Sequence, residues 1–375
     1  MRIERDFPPV AKTGVRPMEP RDVEAVATMF LSVFRGGKRR ACGDLVDYLS
    51  EFCFGSPVLN RDNGSIVYEA SDGRIRAALI GVPMRFRVSG ESVAARLLCS
   101  FMADGQQGLR GAAALHKHLR SSHYDLLFSD TAVPRSARHW EALKGGVLPV
   151  ESLEWRRVFR PSAHLLHRTR RRWSGPGGAV VRQVSRLPAA LADGVFRRAA
   201  GPARAAETLS LRAVDAAAFA EAAHAFLKRF EVYPDWQCAE FGWIATMAAR
   251  NHRRGQLSFA LAETAAGGIK AAYAYYAKPE GPAWVLNLLC APGDEAAAVE
   301  ALLVRLDAEG HTMAHGMAQQ FLLAALQVQP HMGFRHRGYF LYASVDDGLR
   351  EAVESGRFYA GGLASESWSR LVNDF

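Results

Sequence analysis

Three glycines between an apolar run and a helical run carry the clearest chemical signal in this chain. In Ala94–Leu119, AARLLCSFMADGQQGLRGAAALHKHL, the segment Leu97–Ala103 reads as a strand. Gly105, Gly108 and Gly111 lie in and just beyond the loop that follows, and a helix is predicted to start near Leu109. A strand that opens through glycines onto a helix N-terminus can hold an anion, because free backbone N–H groups and the helix dipole face whatever sits there. Glycines also let a phosphate come close. The spacing fits neither G-x-x-x-x-G-K-[ST] nor G-x-G-x-x-G, which excludes the nucleoside-triphosphate and dinucleotide loops. Other chemistries have weaker support. No G-x-S-x-G follows a strand, so a serine hydrolase is disfavoured. Of twelve histidines, His116 and His118 sit two apart on the predicted helix and point to different faces, and there is no H-E-x-x-H, so no metal is expected.

Composition sets the frame. At 375 residues the chain exceeds one ordinary core and suggests two or three domains. It is 49% apolar and 23% charged, as a soluble globular protein is. It has no run of about 18 apolar residues, the length a transmembrane helix needs. The N-terminal MRIERDFPPVAKTGVRP is too charged for a signal peptide, so the expected location is cytoplasmic. Five scattered cysteines (Cys42, Cys53, Cys99, Cys238, Cys290) suggest neither a disulfide framework nor structural zinc. The net charge is +9. Part of that excess lies in Arg156–Arg172, which has seven arginines, two histidines and no acid. It reads as a solvated basic linker, or as a surface for nucleic acid, anionic lipid, an acidic carrier protein or coenzyme A phosphates.

The elements that must position the glycine loop follow from periodicity. Val15–Pro17 opens the first half. A helix through EPRDVEAVATMFLSVF, a second over Asp44–Phe54, a hairpin of Ser65–Ala70 and Ile75–Val88, and the strand–loop–helix follow. Tyr124–Phe128 is a buried strand ending at Ser129-Asp130. Ser136–Leu143 is a short helix closed by Gly145-Gly146, and Leu153–Phe159 is a last strand. The second half repeats the order. It runs through Leu211–Phe226, Trp236–Ala248, Leu257–Glu263, Ile269–Ala277, Trp284–Cys290, Glu295–Glu309, Thr312–His315, Ala318–Gln327, the turn His331–Phe334 and Gly338–Ser344. The tail GRFYAGGLASESWSRL has no readable chemistry and is expected to pack on the second half. Boundaries fall at 1–173, a 174–205 linker containing SGPGG, and 206–375.

This pattern resembles the GNAT (GCN5-related N-acetyltransferase) superfamily, here as a tandem pair. Gln107-Gly108-Leu109-Arg110-Gly111-Ala112 is similar to its R/Q-G-x-G-x-G/A pyrophosphate turn, with Arg110 where a glycine is usual. V-R-P-M-x-x-x-D-x-x-x-V looks like its first strand and helix. SARHWEALKGG looks like its N-x-x-A-x-x-L-Y-x-x-L-G-F segment, with Trp140 in place of tyrosine and Gly146 in place of phenylalanine, and HMGF is similar to the L-G-F turn. The resemblance implies an α/β (α+β) fold of two GNAT-like domains, each a mixed, mostly antiparallel sheet flanked by helices.

The resemblance also implies an acyl-coenzyme A-dependent N-acyltransferase, most simply an acetyltransferase, acting on the amine of a small molecule. Acetyl-CoA or another acyl-CoA would be the donor, and no metal is implied. The thioester would lie between Leu97–Ala103 and Tyr124–Phe128. Phe101, Met102 and Ala103 would line the pantetheine. Gln106, Gln107, Gly108, Leu109, Arg110, Gly111 and Ala112 would hold the pyrophosphate, with Trp140 near the thiol. Trp140 stands where the family's acid, a tyrosine, is usual, and Ser129, Asp130 and Tyr124 are the nearby alternatives for it; Asp130 is the candidate base, Glu69 is weaker, and Asp104 reads as a turn residue. The second half lacks the glycine turn and has Asp294 and Glu295 at its helix start, which would repel a pyrophosphate. It is therefore expected to support the fold or bind the acceptor. An acyl carrier protein remains open as donor and an oligomer as the assembly. The competing readings are a degenerate pair that binds a ligand or partner without chemistry, and a Fem-like transferase using aminoacyl-tRNA. The sequence offers no nucleic-acid motif for the last.

Overall fold

The computed structural model describes residues 14–36, 41–122, 124–134, 140–170, 188, 191–196 and 209–375. The first half runs β1 (Gly14–Pro17), α1 (Val23–Arg35), α2 (Gly43–Phe54), β2 (Ile66–Glu69), β3 (Ile75–Val88), β4 (Glu91–Ala103), α3 (Leu109–Ser121), β5 (Leu126–Ala132), β6 (Gly145–Leu148), β7 (Leu153–Val158) and α4 (Pro161–Arg170). The second runs β8 (Ser210–Val214), α5 (Ala216–Leu227), β9 (Val232–Pro234), α6 (Cys238–Ala249), β10 (Gln256–Glu263), β11 (Ile269–Ala277), β12 (Ala283–Cys290), α7 (Glu295–Ala308), β13 (Met313–Met317), α8 (Leu323–Gln327), β14 (Met332–His336), β15 (Tyr339–Ala343) and α9 (Asp347–Glu354). Helical spacing buries Val23, Val26, Ala27 and Phe30 of α1 and Leu45, Tyr48, Leu49 and Phe52 of α2, as the sequence required.

Several details differ from the sequence reading. β5 continues through Ala132, so Ser129 and Asp130 lie inside the strand and not at its end. Gly145-Gly146 opens β6 instead of closing a helix, and Met332–Phe334 of HMGF lie in β14. The basic stretch after Arg156 holds the end of β7 and α4. There Arg156 pairs with Glu154, and Arg160 binds Asp307 and the His311 carbonyl. Part of the predicted 136–143 helix and most of the 174–205 linker lie outside the described residues.

Two sheets share one plan. The first has the order β1-β2-β3-β4-β5-β15-β6, with β9 added against β3, and the second β8-β10-β11-β12-β13-β7-β14. Each contains a single parallel pair, β4–β5 or β12–β13, among antiparallel neighbours. The sixth place in each sheet is taken by a strand from the other half. The sequence places Leu153–Phe159 at the end of the first half and Gly338–Ser344 at the end of the second, yet β7 completes the second sheet and β15 the first. A division at residues 173 and 206 therefore leaves β7 of the second sheet in the first half, and β9 and β15 of the first sheet in the second.

Local residues explain the exchange. Across the ladder Gly145 faces Ala343 and Gly146 faces Tyr342. A Cβ on Gly145 would lie 2.2 Å from the Tyr342 carbonyl oxygen, and one on Gly146 would lie 2.8 Å from its hydroxyl. Only glycines accept β15 at this distance. The two crossing segments meet at Ser152. Its hydroxyl donates to the Leu148 carbonyl (2.7 Å) and accepts from the Phe340 N–H (2.9 Å), and its carbonyl accepts from the Arg337 N–H (3.0 Å). The main core is common to both halves: α1 and α2 meet α5 and α6 through residues such as Phe52, Phe219, Phe241 and Trp368.

Phe340, Leu341 and Tyr342 of β15 are almost wholly buried. At about 1.5–3 kcal/mol for each large apolar side chain, they supply roughly 5–9 kcal/mol, which rivals the stability of a whole domain. Residues 1–173 expressed alone should therefore show no cooperative unfolding transition by circular dichroism, whereas co-expression with 206–375 should restore one. A cooperative transition in either isolated half would refute this account of the exchange.

Candidate functional site

The site begins where β4 and β5 part. They pair only at Ala95↔Leu126, Arg96↔Leu127 and Leu97↔Phe128. Just beyond, β4 carries a bulge at Cys99, where the register against β3 passes from Gly81↔Leu98 to Ile80↔Ser100. A bulge bends its strand, and here it turns β4 away from β5. Among the described residues, the β5-facing edge of β4 through Phe101, Met102 and Ala103 has no strand neighbour. Such an edge offers backbone donors and acceptors to an extended, amide-bearing ligand. Phe101 is exposed beside the split, while the Met102 side chain is buried in the core.

β4 delivers the chain into the glycine loop. Gly105 adopts φ +52°. Gly108 caps α3, with no side chain satisfying the cap. Among the described residues, the N–H groups of Gln106, Gln107, Arg110 and Gly111 have no backbone acceptor, so four donors gather at the positive end of α3. The side chains of Gln106, Gln107, Leu109 and Arg110 are exposed, and Ala112 is half-buried. Two of the glycines have packing reasons. A Cβ on Gly108 would lie 2.3 Å from the Asp104 nitrogen, and one on Gly111 would lie 2.7 Å from the Tyr68 ring. They seat the loop on β3 and α3 on the sheet.

The corresponding split in the second half is filled by the chain itself. β12 and β13 pair at Ala283↔Ala314, Trp284↔His315 and Val285↔Gly316, and β12 bulges at Leu286. Asn287, next along, donates to the Tyr359 hydroxyl (2.7 Å) and the Gly361 carbonyl (2.9 Å) and accepts from the Leu363 N–H (3.0 Å). At α7, Glu295 pairs with Arg229 and Asp294 with Lys270, so carboxylates occupy the helix start. The tail thus packs on the second sheet and then continues past it into the first.

There it meets Asp130. This wholly buried carboxylate (0% exposed) accepts from Arg337 Nη2, the Ser367 hydroxyl and the Glu366 N–H, all at 3.0 Å. The Glu366 carboxyl, 3% exposed, accepts from the Thr131 hydroxyl at 2.5 Å. Burial first, and then the neighbouring Asp130 charge, push Glu366 up to about 8. Both carboxyls lie within electrostatic reach of Cys99, and burial raises that thiol well above its ordinary value. A carboxylate pair therefore stands between the β4 bulge and the end of β5.

The other predicted residues have different surroundings. Ser129 is buried opposite Leu341. Tyr124, about 20 Å along β5 from Asp130 at strand rise, donates its hydroxyl to the Leu143 carbonyl (3.0 Å). Trp140 is buried with Leu115, Leu119 and Leu341. Glu69 is held by Arg16 (2.7 Å), and Asp104 pairs with Arg76 (3.0 Å). The sequence reading missed Glu366, Thr131, Arg337 and Ser367. Its one clue was the tail, a low-charge run containing a single glutamate between serines. Among the described residues, no group of three or more His, Cys, Asp or Glu could hold a metal ion, and no helix is long and apolar enough to cross a membrane.

Solved structures agree with this architecture. A protein from Enterococcus faecalis, described as a probable N-acyltransferase, superposes with a TM-score of 0.55 at 10% identity, covering 88% of this chain and 71% of that one. A GCN5-related N-acetyltransferase from Anabaena variabilis gives 0.54 at 10% identity, covering 88% and 72%. The chain has the GNAT fold. No family model and no curated protein matches it. At this identity the likeness speaks to GNAT architecture, so the reaction must be argued from the residues.

Two stability tests follow. Gly362 has φ +55°, and a Cβ there would lie 2.1 Å from the Leu286 carbonyl oxygen. Gly362→Ala should cost about 2–4 kcal/mol from left-handed strain and overpacking, read as a lower denaturant midpoint. An unchanged midpoint would mean the tail is not seated in this split. The second test uses Glu366, whose carboxyl is raised from 4.5 to about 8 in the fold. Between those values the native state holds a proton that the unfolded chain releases, so this contribution is full below 4.5 and disappears as pH rises through about 8. The difference in melting temperature, wild type minus Glu366→Gln, should fall steadily from pH 5 to pH 9. A flat difference would refute the buried neutral carboxyl.

Proposed function

We propose that the chain transfers an acyl group from coenzyme A to an amine in the β4–β5 split of its first sheet. The observation that carries this reading is the difference between two similar splits. One has an open strand edge, four backbone N–H groups at a helix start and a carboxyl pair. The other is closed by the tail and by Asp294 and Glu295. On this reading the chain is a tandem GNAT pair whose first half binds the donor and whose second half is support. Acetyl-CoA is the simplest donor and a small-molecule amine the acceptor.

The residues present suit the donor. The free edge at Phe101–Ala103 suits the amides of a pantetheine arm. The N–H groups of Gln106, Gln107, Arg110 and Gly111, with the Arg110 side chain, suit a pyrophosphate. In the reaction the amine nitrogen forms a bond to the thioester carbon and the carbon–sulfur bond breaks. One proton leaves the amine and one reaches the thiolate. Glu366, poised near 8, takes the first proton and can return it, while Asp130 holds its backbone N–H and the Thr131 hydroxyl donates to its carboxyl. Trp140, packed in the core, takes no part in proton transfer.

Calorimetric titration with acetyl-CoA tests the donor site. The wild type should bind in the micromolar range. Gln107→Glu combined with Arg110→Glu, two exposed changes that spare the packed glycines, should weaken binding at least tenfold. Glu366→Gln should bind normally yet lose about 10²–10⁴ in kcat, and the wild-type kcat should rise with pH around 8. No thioester binding, or full turnover by Glu366→Gln, would overturn this function.

A further inference from the structure

Among the described residues, Arg337, which binds Asp130, and Arg254, within electrostatic reach of Arg337, each have a buried nitrogen with no hydrogen-bond partner. Arg337 lies between β14 and β15, its side chain 10% exposed. Nη2 binds Asp130 and Ser367, whereas Nη1 is buried without a partner. Arg254, in the turn between α6 and β10, stacks 3.2 Å over the Trp284 ring, and its Nε is also buried without a partner. Burial, together with the nearby Arg337 charge, pushes Arg254 down to about 9. Trp284 in turn contacts His315 (4.8 Å between ring centres), whose Nδ1 faces a Glu154 oxygen at 3.6 Å.

Charge is out of balance here. Glu154 lies within electrostatic reach of Arg254, but it is already engaged by Arg156 (2.5 Å), Arg335 (2.9 Å) and His315 (3.6 Å). Asp130 serves only one end of Arg337. Glu366 is held largely neutral at pH 7. Four guanidinium groups therefore face two carboxylates, an excess of two positive charges. A buried guanidinium N–H left unpaired costs more than an ordinary missing hydrogen bond, so such groups mark a place for an anion.

We infer that the gap between Arg337 and Arg254 binds an oxyanion, a carboxylate or phosphate, carried by the acceptor amine. The inference rests on the acyl-transfer reading for the word acceptor, whereas the anion site stands on the two arginines. Geometry limits the spacing. An oxygen on Arg337 Nη1 lies within about 6 Å of the Asp130 oxygen on Nη2, two hydrogen bonds across one guanidinium. That suits an amine only a few bonds from its oxyanion.

The test uses the full chain with acetyl-CoA and follows thiol release. Two matched pairs serve as acceptors: glycine against glycinamide, and O-phosphoethanolamine against ethanolamine. At least one oxyanion member should exceed its neutral partner tenfold or more in kcat/KM, and the better pair tells carboxylate from phosphate. Arg254→Gln should collapse that ratio toward one, chiefly through KM, and Arg254→Lys should give an intermediate ratio. Independently of turnover, inorganic phosphate at constant ionic strength should change tryptophan fluorescence saturably, and Trp284→Phe and Arg254→Gln should abolish the change. Equal use of both members of each pair, or a phosphate response that survives in Arg254→Gln, would overturn the inference. If acetyl-CoA fails to bind while the phosphate response depends on Arg254, acyl transfer falls and the anion site stands.

Discussion

The buried carboxylate of Asp130 is the constraint around which the rest is arranged. A charge taken wholly out of water is tolerable only if donors surround it. Asp130 draws its donors from far away in the chain: Arg337 ahead of β15, and Ser367 and the Glu366 backbone in the tail, 207 to 237 residues distant. Satisfying this one group fixes the entry of β15 into the first sheet and the path of the tail beyond the second. It also buries the second carboxyl beside the first, and that burial, followed by the Asp130 charge, is why Glu366 holds its proton so firmly.

The two sheets show how one architecture reaches two ends. Each has a parallel pair that parts at a bulge, and each is followed by a helix whose first turn points at the gap. In the first, the helix start carries no acid and its N–H groups stay free. In the second, Asp294 and Glu295 supply the negative charge and Asn287 binds the tail's backbone. A few side chains, and not the sheet order, separate an open cleft from a filled one.

Much of this was legible in the sequence, for a local reason. Period-2 and period-3.6 patterns report burial within a segment, so β3, α3 and β11 came out with bounds close to those observed. The acids at α7 also predicted the closed helix start. The strand exchange was not legible, because alternation in Leu153–Val158 says that one face is buried and nothing about which sheet buries it. Gly145-Gly146 signalled a special backbone position, yet the reason lies in Tyr342, almost two hundred residues away. Asp130 could be named because it ends an apolar strand pattern. Glu366 could not, because its character comes from burial against Asp130 and Thr131, which no local window contains.

The tail's route has a kinetic meaning. Contacts that close loops of more than two hundred residues form late, since their entropy cost precedes their reward. Helices and hairpins of both halves can be in place while residues 358–375 are still unseated. Such a species has nearly all of its secondary structure, yet its first cleft holds an Asp130 deprived of two donors and no second carboxyl. The buried carboxyl pair is therefore completed only in the final folding step. Mild perturbation that releases the tail would undo it well before either sheet comes apart.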